Sequence, residues 1–188
     1  MIADILRAFF SLFIIIDMLG NSPLIFKLLK SIDKEDRAKN INKVVLVGGI
    51  ILFLFLIFGD HILTFFGISL KSFILTGGII LFIVGIEMVL GIKLGQNVTH
   101  SFGVVPIATP FLIGPGVLVT IMVLVGNYGM LITSIAAILN LIVIWLIMKF
   151  SQNIVEFLGD QGSETITKVM GLILTAISIE LIIKGLAI

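Results

Sequence analysis

The sequence predicts an all-α integral membrane protein of six transmembrane helices, arranged as two inverted three-helix repeats with spans one and four broken at the midplane. Three observations predict it. Hydrophobic residues make up 59% of the 188 residues and charged residues 12%, whereas a soluble domain carries roughly 25% charged residues. The same helix-breaking punctuation occurs twice inside long apolar runs, as Asn21-Ser22-Pro23 and as Gly114-Pro115-Gly116. These copies stand at a fixed shift, 114 − 21 = 93, which recurs elsewhere in the chain.

A spanning helix needs about 20 mostly apolar residues. The first candidate is Ile2–Leu29, interrupted near Gly20–Pro23. Arg7 ahead of the apolar run Ala8–Ile16 has the look of a signal peptide. Asp17 closes that run and no small-residue cleavage site follows, so the segment reads as a retained first span. Ile41–Gly59 and Ile68–Gly91 are uninterrupted, Phe102–Val125 is broken between Pro106 and Gly116, and Met130–Phe150 and Thr165–Leu186 complete the set. All belong to one membrane domain, residues 1–188, with repeat one at 1–93 and repeat two at 94–188.

Lys and Arg set the orientation. Lys27, Lys30, Lys34, Arg37, Lys39, Lys43, Lys93, Lys149 and Lys168 fall on one predicted side, and Arg7, Lys71 and Lys184 on the other. The richer side is read as cytoplasmic, which places both termini outside the cytoplasmic membrane. The stretch Lys27–Lys43 is mixed with Asp33, Glu35 and Asp36 and reads as a solvated loop. The net charge of +1 points to no nucleic-acid partner.

The shift of 93 aligns Gly78 with Gly171 and Glu87 with Glu180, without a gap between them. Three spans per half make the second half enter from the opposite side, the inverted topology of many secondary carriers. Pro23 and Pro115 lack an N–H and clash with a preceding helical turn, yet each suits the first position of a new helix. Leu24–Lys30 and Val117–Val125 therefore read as half-helices whose N-termini meet near the midplane. Such ends carry free N–H groups and a partial positive charge, a place for an anionic group such as a carboxylate. A pair of proline kinks without a ligand is the bland alternative.

Intramembrane carboxylates are costly and usually face a cavity. Asp17, four residues before Asn21, is a candidate for a substrate ammonium or a coupling proton, or else a helix cap. Glu87 and Glu180 are further coupling candidates, with snorkelling to the interface as the alternative. Asn140, alone in an apolar helix, reads as an inter-helix hydrogen bond, and Gly48-Gly49, Gly77-Gly78 and Gly85 as close-packing positions. His61 and His100 fall in predicted loops. Trp145 and Tyr128 read as lipid-facing or interfacial. With no cysteine and two histidines, no metal site or cofactor is expected. The absence of a nucleophile–base pair at membrane depth argues against an enzyme.

Asp17-Met-Leu-Gly-Asn-Ser-Pro-Leu-Ile-Phe26, Phe66-Gly-Ile-Ser-Leu70, Gly77-Gly-Ile-Ile-Leu81, Pro106-Ile-Ala-Thr-Pro110, Gly114-Pro-Gly116 and Gly171-Leu-Ile-Leu174 cover nearly the whole chain in order. In them the sequence resembles the MarC family of bacterial and archaeal membrane proteins, of the LysE-like exporter superfamily. The resemblance implies six spans and, from members called small neutral amino acid transporters, substrates of glycine or alanine size. The motif residues that it carries over are Asp17, Asn21, Pro23, Gly114, Pro115 and Gly116, and Ser22 lies within the same break.

The leading expectation is a secondary transporter of small neutral amino acids, with proton coupling and alternating access, the bilayer as its surroundings and a homo-oligomer as a possible assembly. An exporter or channel for another small solute, or a non-transporting membrane scaffold, is the rival.

Overall fold

The computed structural model describes residues 1–17, 25–26, 29–30, 32–92 and 113–187. The described residues form five helices: α1 (Ile2–Ile16), α2 (Lys34–Phe65), α3 (Leu70–Leu90), α4 (Pro115–Lys149) and α5 (Ser151–Leu186). Two are divided by glycine. Gly129 (φ 81°, ψ 166°) splits α4, and Gly159 (φ 62°, ψ −179°) splits α5. Both lie in the positive-φ region, which glycine enters without the Cβ penalty.

Among the described residues four stretches are long and apolar enough to cross a membrane: Glu35–Phe65, Leu70–Leu90, Pro115–Lys149 and Gln161–Leu186. The apolar character goes right around these helices. On α2, Val44, Leu52, Leu56 and Leu63 are buried, while Leu46, Ile50, Leu54 and Ile57 form an exposed stripe three or four residues apart. A helix that is apolar on its outer face as well as its inner one is solvated by lipid. The protein is a multi-pass, all-α integral membrane protein.

Predicted and observed ends agree closely for three spans. Ile68–Gly91 becomes Leu70–Leu90, Met130–Phe150 matches the part of α4 after Gly129, and Thr165–Leu186 lies in the part of α5 after Gly159. Span two is longer than predicted. Its helix begins at Lys34, so part of the expected solvated loop is a polar helical extension. Glu35 and Asp36 in its first turn favour the positive end of the helix dipole, and Arg37 Nε donates to the Ile32 carbonyl at 3.1 Å. His61 lies inside α2, exposed, and not in a loop.

The packing centres on α4, which α1, α2 and α3 contact, while α5 runs along α3. Asn140 Nδ2 donates to the Phe9 carbonyl at 3.1 Å and ties α4 to α1, the inter-helix bond expected of it. Trp145 Nε1 donates to Asn42 Oδ1 at 2.8 Å and ties α4 to α2. Lys149 Nζ stands 4.6 Å from the Trp145 ring centroid.

The α3–α5 contact is built on small residues. Gly78, Leu81 and Gly85 are buried on α3, and Gly171, Leu174 and Ser178 on α5. The second trio is the first displaced by 93 positions. A Cβ at Gly78 would lie 3.1 Å from the Ser178 carbonyl and 3.0 Å from the Ile182 nitrogen. One at Gly171 would lie 2.9 Å from the Gly85 carbonyl and 3.1 Å from Val89 Cγ2. Ser178 and Ile182 less 93 are Gly85 and Val89. Backbones approach this closely in a bilayer because small residues leave room for dispersion contacts.

Candidate functional site

Of the second break, Gly114-Pro115-Gly116 is described, while the stretch from Pro106 to residue 112 lies outside the described residues. Gly114 is the N-cap of α4 with an extended backbone (φ −74°, ψ 170°), and Pro115 holds the first helical position. Proline fits there because its fixed φ suits the helix and its missing N–H has no partner to lose. The Gly114 carbonyl accepts from Val117 at 3.0 Å and from Leu118 at 3.3 Å. Gly114 has no side chain with which to cap this end, and the Gly116 N–H has no partner within the helix.

Glycine at 116 has a packing reason. A Cβ there would collide with the side chain of Leu81 on α3. One turn on, Val119 fills the space a side chain at Gly77 would need. The open end of α4 is therefore set directly against α3. Ile113, Val117 and Ile121 continue into the buried core.

Asp17 ends α1. It is 4% exposed, takes the left-handed conformation (φ 47°, ψ 46°), and donates its N–H to the Phe13 carbonyl at 3.2 Å. Asp is among the few residues other than glycine that visit this region. Asp17 thus is a helix C-cap, and its buried carboxyl group stands at the negative end of the α1 dipole. Burying a charge at such an end is costly unless a partner offsets it.

Asn21, Ser22 and Pro23 lie outside the described residues. Within the predicted half-helix Leu24–Lys30, the pairs Ile25–Phe26 and Leu29–Lys30 are helical, and Ile25 and Leu29 are buried. Glu87 is half-buried near the end of α3, and its carbonyl accepts the Ile92 N–H at 3.2 Å. Glu180 is 63% exposed and pairs with Lys184 at 3.7 Å. Among the described residues no cluster of His, Cys, Asp and Glu could hold a metal ion.

Two unpaired polar residues were not anticipated. Thr120 on α4 is 4% exposed and Ser163 on α5 is 7% exposed, and neither hydroxyl has a hydrogen-bond partner among the described residues. For Thr120 the spacing of four from Gly116 was the available signal, but burial is not readable from an apolar run.

Comparison with known proteins gives the family. The sequence model of the MarC family integral membrane proteins matches residues 2–188. The chain belongs to the MarC family. It is 32% identical to a UPF0056 membrane protein of Methanocaldococcus jannaschii over 95% of this chain and 94% of that protein. It is 30% identical to a UPF0056 membrane protein of Archaeoglobus fulgidus, over 96% and 91%. A UPF0056 membrane protein of Pyrococcus abyssi is 32% identical over 93% and 90%. No solved structure matches this MarC protein.

Proposed function

We propose that this MarC protein is a secondary transporter of small neutral amino acids of glycine or alanine size, with the proton as coupling ion. The observation that carries the reading is a helix N-terminus with no side-chain cap among the described residues, at Gly114-Pro115-Gly116, inside an apolar helical fold that also buries Asp17. Broken helices whose positive ends point inward are the usual carboxylate sites of carriers. The substrate carboxylate sits at that end and at Asn21-Ser22-Pro23, while Asp17 takes the ammonium or the proton.

Six spans in two inverted repeats, 1–93 and 94–188, complete the proposal. The reciprocal contacts of Gly78 with Ser178 and of Gly171 with Gly85 support it, since a two-fold relation by a shift of 93 requires both. Alternating access is then movement of one repeat against the other. The Lys and Arg distribution supports a cytoplasmic-membrane protein with both termini outside, and the motif resemblance supports membership of the LysE-like superfamily.

The test is uptake of radiolabelled glycine and alanine into proteoliposomes, with and without an inward proton gradient. Saturable, gradient-stimulated uptake competed by small neutral amino acids is the expected result. Folded protein that shows neither uptake nor counterflow removes this substrate class.

A further inference from the structure

Six threonines on the described helices tie their hydroxyls to the carbonyl four residues back: Thr64 to Asp60, Thr76 to Ser72, Thr133 to Gly129, Thr165 to Gln161, Thr167 to Ser163 and Thr175 to Gly171, at 2.7–2.9 Å. Thr120 has the same option at Gly116 and does not take it. Its hydroxyl is buried and has no partner among the described residues.

A buried hydroxyl left without a hydrogen bond is destabilising, so its persistence calls for a reason. Residues four apart stand one above the other on a helix, and each Cα–Cβ bond tilts toward the N-terminus. Thr120 therefore overlies the first turn of α4, above the Gly116 N–H that the helix leaves over. Gly116 and Val119 form the face set against α3. At 100° per residue, Thr120 stands at the edge of that face and not at its centre.

We infer that the Thr120 hydroxyl is a solute-binding group that, with the Gly116 N–H, donates to one carboxylate of the transported molecule. The inference rests on the transporter reading and deepens it. Two neutral donors at the positive end of a helix suit an anionic oxygen, and both remain at hand when the site is empty because neither has a partner to break from among the described residues. A hydroxyl kept unpaired in the empty state loses no bond on binding, whereas one already bonded to the Gly116 carbonyl would exchange partners.

Thr120→Val and Thr120→Ser separate this role from a structural one. Valine keeps the shape and deletes a hydroxyl that bonds to nothing, so the melting temperature stays level or rises. With radiolabelled glycine in proteoliposomes, the KM of Thr120→Val rises about tenfold or more, the range for losing a hydrogen bond to a charged group. Thr120→Ser restores it. Thermal stabilisation of the detergent-solubilised protein by glycine falls in the same order. Wild-type KM and stabilisation in Thr120→Val overturn the role of Thr120 and leave the transporter reading standing. Neither uptake nor stabilisation of wild-type protein by glycine or alanine overturns both.

Discussion

Gly85 and Gly171 meet across the α3–α5 contact so closely that a Cβ on Gly85 would stand 3.0 Å from the Gly171 carbonyl. The same Cβ would stand 2.9 Å from the Thr175 nitrogen, so the obstacle is backbone, which cannot swing aside. The contact of Gly78 with Ser178 repeats it at a shift of 93.

Gly85→Ala therefore pushes α3 from α5. Overpacking of this kind costs about 1–3 kcal/mol. Gly126, also helical, has nothing within 4 Å of its absent Cβ, so Gly126→Ala is neutral or stabilising by up to about 1 kcal/mol. Thermal unfolding of both variants in detergent checks the pair. Equal melting temperatures would mean that the α3–α5 approach is looser than described.

Asn140 contributes less than its burial suggests. It bonds the Phe9 carbonyl, but its Oδ1 has no partner among the described residues. Inter-helix hydrogen bonds in membranes average about 0.6 kcal/mol. Asn140→Leu removes the bond and the unpaired oxygen together, so unfolding should shift by no more than about 1 kcal/mol in either direction. A loss well beyond that would assign the α1–α4 contact a larger share of stability.

Asp17→Asn keeps the size of the side chain and its tolerance of the left-handed conformation. On the proposed mechanism it folds normally, by size-exclusion profile and melting temperature, and nearly abolishes glycine uptake. Wild-type rates in this variant remove Asp17 from the substrate and proton roles.

Glu180 is exposed and paired with Lys184 one turn away, which favours the snorkelling alternative. Glu180→Gln should leave the ratio of uptake with and without a proton gradient unchanged. Glu87, half-buried on α3 and 93 positions before Glu180, is on the proposed function the better coupling candidate. A Glu180→Gln protein that transports but ignores the gradient would reverse that order.

The composition and the apolar runs determined the membrane class and most helix positions, because a bilayer demands about 20 apolar residues wherever the chain crosses it. Pro115 likewise announced the start of α4, since proline fits the first helical position and no interior one. The Gly78–Gly171 register was visible too, as a spacing. The polar start of α2 at Lys34 was not, because its residues follow no apolar window and are helical by continuation from the span. Tertiary structure alone decided the rest. It set Gly116 against Leu81, put Glu180 on the outside beside Lys184, and buried the Thr120 hydroxyl without a partner among the described residues. In a chain apolar on every face, the sequence marks which segments are helical, but only packing decides which side of each helix meets protein and which meets lipid.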